Sequence, residues 1–136
     1  VISAVDSSVL LDVLAADPKH VDTSLRALRQ AVQNGQIVAC EVVWSEVASF
    51  FPSPGAAREA FERMGIEFSG QTVESALQAG AIFAAYRRAG GKRQRVVADF
   101  LIGAHAMTQA DCLLSRDRGF FRTYFKKLKI IDQAAS

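Results

Sequence analysis

Short β-branched or aliphatic runs alternate along this chain with longer stretches in which apolar residues return every three or four positions. The first run, VISAV, stops at Asp6, and SSVLLDVLAA after it has the helical period. Asp17-Pro18 has the form of a helix start, with Asp as N-cap and Pro at the first helical position. The helix it predicts runs through KHVDTSLRALRQAVQ and stops at a C-cap, Asn34-Gly35. QIVAC predicts a second strand, EVVWSEVASFF a helix closed by Pro52, residues 55–64 another helix, and GIEFSG a third strand. TVESALQAGAIFAAYRRA predicts a long helix ended by Gly90-Gly91, and a basic loop, GKRQR, leads into the helix VADFLIGAHAMTQA. DCLLS then predicts a strand, RGFFRTYF a helical turn, and LKIID a final strand. Strands alternating with helices predict an α/β fold with a mainly parallel sheet. In such sheets functional groups collect beyond the carboxyl ends of the strands, which directs attention to Asp6 and Asp117.

Composition narrows the class. Half of the 136 residues are hydrophobic and 22% are charged, as in a globular chain able to bury a core, here read as one domain over residues 1–136. No apolar run is long enough to span a bilayer and none resembles a signal peptide, so a cytoplasmic protein without a membrane partner is expected. Cys40 and Cys112 form no CxxC and are read as buried, reduced thiols. The net charge of +2 conceals an asymmetry: residues 1–86 hold 5 of the 16 basic and 10 of the 14 acidic side chains, a balance of −5, while residues 87–136 carry +7. That split fits an anionic partner for the second part, an acidic one for a dimer face, or a solvated surface.

Individual acids carry the chemistry. Asp6 and Asp117 each follow a strand, and each taken alone reads as a helix cap. Together they are two carboxylates delivered to one sheet edge. Asp99 lies early in an otherwise apolar helix, where a carboxylate needs water, a hydrogen-bond partner or a cation. Glu46 sits beside the apolar stripe of Val43, Val47 and Phe50 and is expected to point inward, whereas Glu41 is explained by the helix dipole. Four converging carboxylates would raise one another's pKa unless a cation joined them. Mg²⁺ or Mn²⁺ suits an all-oxygen site and brings phosphates to it, which points to phosphodiester hydrolysis. Arg116 and Arg118, framing Asp117, are then expected near the anionic substrate.

With those residues in view, the chain resembles the PIN-domain nucleases: VDSSVLLDVL, VVWSEVASFF, VADFLIGAHA and LLSRDRGFF occur in that family's order, nearly end to end. Its size and plain architecture look most like the VapC toxins of type II toxin–antitoxin systems. The resemblance implies a PIN-like three-layer α/β/α fold and an acidic metal site of Asp6, Glu46, Asp99 and Asp117. Ser8 matches the family's small hydroxyl residue, orienting a ligand or water from behind. It further implies Mg²⁺- or Mn²⁺-dependent endoribonuclease activity, a homodimer and an antitoxin protein that occludes the site.

The remaining features are weighed against plainer readings. Arg87, Arg88, Lys92, Arg93 and Arg95 surround the Gly-Gly flexure before the Asp99 helix, and Lys92, Arg93 and Arg95 are expected to contact RNA phosphates. His20 and His105 lack metal-ligand spacing and read as satisfied or exposed; Trp44, Phe50 and Phe51 read as packing, and Asp12 as part of an exposed helix face. Two other functions stay in view. An aspartyl-phosphate phosphatase or receiver also places an Asp after its first strand, but the phosphatase wants a further acid where this chain has Ser8, and the receiver wants an early acidic pair and a lysine where LLSRD has Arg. A non-catalytic RNA- or partner-binding module would use the basic half and keep its affinity under chelation.

Overall fold

A computed structural model of the chain describes residues 1–92, 97–116 and 119–132. The strands are β1 (Ile2–Val5), β2 (Gln36–Ala39), β3 (Ile66–Phe68), β4 (Cys112–Leu114) and β5 (Ile130–Ile131). The helices are α1 (Ser7–Leu14), α2 (Val21–Asn34), α3 (Glu41–Ala48), α4 (Pro54–Met64), α5 (Val73–Arg88), α6 (Val97–Gln109) and α7 (Phe120–Tyr124). The sheet runs in the order β3-β2-β1-β4-β5 and every pairing is parallel. This is the three-layer α/β/α fold that the resemblance implied.

β1 lies at the centre, with Ser3 opposite both Ile37 and Cys112 and Val5 opposite Leu114. Parallel strands are covered on both faces, so their sequences are continuous apolar runs. Ala4, Val5, Ile37, Val38, Ala39, Leu113 and Leu114 are all buried. Because the strands share one direction, Asp6 after β1, Cys40 and Glu41 after β2, and Ser115 and Arg116 after β4 emerge along the same edge.

The helices follow their sequence signals closely, except that α3 stops at Ala48, short of Phe51, and α2 starts late. α2 begins at Val21 and not at Pro18. The Asp17 carbonyl accepts from the backbone N–H of His20 (3.1 Å) and of Val21 (2.8 Å), which closes a turn ahead of the helix. The Asp17 carboxylate meets His20 Nδ1 at 2.6 Å. α4 keeps its expected start, where the Ser53 hydroxyl accepts from the Ala56 N–H at 3.1 Å and Pro54 takes the first turn.

Two aromatic groups complete the core. Trp44 stacks on Phe61 with ring centroids 3.8 Å apart and meets Phe68 edge-on at 5.5 Å, so it serves packing. Phe100 on α6 contacts Phe83 and Tyr86 from α5 and Phe120 and Tyr124 from α7. Cys40 and Cys112 are free, buried thiols, as expected. Among the described residues no helix is long and apolar enough to cross a membrane.

Candidate functional site

Asp6 has the extended backbone of an N-cap residue (φ −83°, ψ 152°), yet its side chain makes no capping hydrogen bond to α1. Its Oδ2 instead accepts from Ser8 Oγ at 3.1 Å and Ser115 Oγ at 2.8 Å. One hydroxyl comes from α1 and the other from just beyond β4, so the carboxylate is held between two elements.

Glu46 arrives from α3, and its Oε1 accepts from Ser7 Oγ at 2.6 Å, one residue from Asp6. It is an exposed residue and not the inward-pointing acid expected. Glu41 is the one turned inside: its Oε2 accepts from the Gln71 N–H at 3.0 Å, and its Oε1 is buried with no hydrogen-bond partner among the described residues. The first position of α3 follows directly from β2, which points Glu41 into the seam against the chain after β3, while Glu46 lies farther out along the helix. Asp99 occupies the first turn of α6, half-buried, and its negative charge acts on Asp6.

Asp6, Glu46, Asp99 and Ser8 are therefore brought to one end of the sheet. Asp117, Arg93, Arg95 and Arg118 lie outside the described residues. Lys92 is exposed, and its carbonyl accepts from the Tyr86 hydroxyl at 2.5 Å.

The Arg116 side chain is engaged inside the fold. Its guanidinium donates to Asp12 Oδ2 at 2.6 Å through Nε and to Asp12 Oδ1 at 2.9 Å through Nη2. Asp12 is 3% exposed and also accepts from Ser24 Oγ at 2.6 Å. The exposed helix face read for Asp12 is thus incorrect: this acid is tolerated inside because an arginine from the far end of the chain and a hydroxyl from α2 meet it.

Burial pushes the Asp6 carboxyl above its ordinary value, and the charge of Asp99 adds to the effect; the Ser115 and Ser8 hydroxyls pull it part of the way back. A carboxylate penalised in this way, near a second acid and held by hydroxyls, has the oxygen chemistry that suits a divalent cation. Among the described residues, the one group of three whose possible ligand atoms lie within 4.8 Å of one another is elsewhere, at Asp12, Asp17 and His20. Its groups are already engaged, Asp12 by Arg116 and Asp17 by His20, so it does not share that deficit.

His105 is 1% exposed and its Nε2 lies 2.9 Å from Ser69 Oγ, a satisfied core histidine as read from the sequence. Burial holds its pKa below the ordinary value, with Glu41 opposing. Ser7 and Ser115 are the site residues that sequence reasoning missed. Ser115 is the first polar residue after β4, the position that singled out Asp6 after β1.

The PIN domain model matches residues 4–126. The chain belongs to the PIN domain family. PIN domains are generally nucleases, and they typically use divalent metals. No curated protein matches this chain significantly. Among solved structures, the PIN fold recurs in VapBC2 from Rickettsia felis bound to a DNA fragment from its promoter (TM-score 0.75, 16% identity, 97% of this chain and 98% of that one). It recurs in VapBC-1 from nontypeable Haemophilus influenzae (TM-score 0.74, 15% identity, 98% and 99% covered). A toxin–antitoxin complex from Klebsiella pneumoniae is also similar (TM-score 0.65, 16% identity, 96% and 97% covered).

Proposed function

We propose that this PIN domain is a Mg²⁺- or Mn²⁺-dependent endoribonuclease, the VapC-type toxin of a toxin–antitoxin pair acting in the cytoplasm. One observation carries the reading. Asp6 ends β1 at the carboxyl edge of the sheet, held by the Ser8 and Ser115 hydroxyls and penalised by burial and by the charge of Asp99, and Glu46 reaches Ser7 beside it. Asp117, the residue after Arg116, is the fourth acid of this reading.

Bound between these acids, Mg²⁺ or Mn²⁺ would supply an activated water and neutralise charge on the transferring phosphate. The protein's own part is to hold the ligands. Ser8 and Ser115 fix the Asp6 carboxylate, and Ser7 fixes Glu46. Lys92 stands exposed with its backbone anchored by Tyr86, and with Arg93, Arg95 and Arg118 it would position the RNA backbone.

The toxin assignment draws on the similarity to VapBC and toxin–antitoxin structures, and with it come a cognate antitoxin and a homodimer. Val73 and Leu77, one turn apart on α5 and 78% and 68% exposed, are apolar surface that a protein partner would cover.

The test is cleavage of a pool of structured RNAs by the purified, antitoxin-free protein with Mg²⁺ or Mn²⁺ and again with EDTA. Discrete fragments that vanish with EDTA and in Asp99→Ala are expected. Intact RNA under all conditions, or fragments that survive Asp99→Ala, would remove the assignment.

A further inference from the structure

We propose that the Asp12–Arg116 ion pair is a positioning clamp that locks the end of β4 against α1 and so shapes the acidic centre. The inference rests on the nuclease reading above and assigns a task to two residues outside its ligand set. Two lines of contact run from Arg116. Its guanidinium closes two short bonds on Asp12, and Ser24 from α2 braces the same carboxylate. Its backbone N–H reaches Ser8 Oγ at 3.4 Å, and the Ser8 hydroxyl in turn donates to Asp6 Oδ2. The preceding residue, Ser115, donates to that same oxygen. The segment bearing Arg116 therefore governs both hydroxyls that orient Asp6, and Asp117 is the next residue along.

A competing role for Arg116 is direct contact with an RNA phosphate. The geometry argues against it. The Asp12 carboxylate is almost wholly buried and takes the Nε–Nη2 edge of the guanidinium, so a phosphate seeking that edge would have to compete with a preformed bidentate partner. Pairs of this kind fix geometry, and residues that orient ligands from behind typically tune metal affinity when changed.

The two roles predict opposite responses to loss of Asp12. A clamp without Asp12 loosens, and the metal site weakens. A substrate arginine without Asp12 is released, and RNA binds more tightly. The experiment compares wild type, Asp12→Asn, Arg116→Gln and the double variant. Mn²⁺ affinity is read by calorimetry and by the Mn²⁺ paramagnetic resonance signal, with Asp6→Asn defining the site. Binding of a fluorescein-labelled oligoribonucleotide in EDTA and the melting temperature are measured alongside. The clamp predicts a Kd for Mn²⁺ about ten- to a hundredfold weaker in both single variants. It also predicts a double variant no worse than either, partial recovery in Arg116→Lys, and no tightening of RNA binding in Asp12→Asn.

The double variant leaves neither charge stranded, so it decides the matter if a single variant melts below the assay temperature. Unchanged Mn²⁺ affinity in the folded double variant, or tighter RNA binding by Asp12→Asn, would overturn the clamp while leaving the nuclease reading intact. No Asp6-dependent Mn²⁺ binding in wild type would remove both.

Discussion

Asp6 is a residue whose placement works against the metal-free fold. Its carboxyl is raised above 3.8 by burial first and then by Asp99, so ionising it costs the folded state more than the unfolded one. That penalty is absent below the unfolded value of 3.8, where both states carry the proton, and it is complete once the pH exceeds the raised folded value. Asp6→Asn in EDTA at pH 7.5 should therefore melt above wild type, by about 4 °C for each kcal/mol relieved. The gain should disappear on acidification toward pH 3.8. Added Mg²⁺ should raise the wild-type melting temperature and leave Asp6→Asn unmoved. A lower melting temperature for Asp6→Asn in EDTA would contradict this account of the site. Asp6 was visible in the sequence because it ends an apolar strand run, and Asp99 because it interrupts an apolar helix. Asp12 interrupts one too, yet was assigned to solvent. Its partner stands 104 positions away, and periodicity within a helix carries no information about a contact at that distance.

At the scale of elements, α6 is the piece on which the centre depends, since it carries Asp99 and packs into the aromatic group of α5 and α7. Gly103 marks its closest approach. A Cβ there would stand 2.5 Å from the ring of Phe125, which is 1% exposed and has no room to withdraw. In α5, a Cβ on Gly80 would meet nothing within 4 Å. The same substitution should thus have opposite signs. Gly80→Ala should stabilise by about 0.5–1 kcal/mol through helix propensity. In Gly103→Ala that gain of about 1 kcal/mol is outweighed by overpacking of about 1–3 kcal/mol. Chemical denaturation of both variants tests the pair, and equal shifts would sink the packing argument. The elements themselves were largely legible, because short apolar runs between capped amphipathic stretches leave few alternatives. The start of α2 was not. Asp17-Pro18 has the composition of a cap, but the chain closes a turn on the Asp17 carbonyl first and the helix begins only at Val21.

Across the whole molecule, the division of charge into −5 and +7 becomes a statement about binding. If the basic part meets the RNA backbone, affinity in EDTA should fall with salt, and each lost phosphate contact should reduce the log–log slope by about 0.7. Lys92→Ala should show one such decrement without altering the fold. A salt-independent affinity, or a Lys92→Ala slope equal to wild type, would exclude this mode of contact. The strand order has a consequence of a different kind, in time. β1 is made first but stands in the middle of the sheet, and its pairing of Ser3 with Cys112 waits for nearly the whole chain. At synthesis rates of about 5–20 residues per second, the interval between Asp6 and Arg116 is on the order of 5–20 s. Throughout it the nascent chain has one side of β1 unpaired, an open edge of the kind that recruits other strands. Ser115 and Arg116 are also missing from Asp6 and its neighbours until then. A growing or prematurely terminated chain is therefore prone to association but has no assembled acidic centre, and that centre can form only as the last strands are delivered.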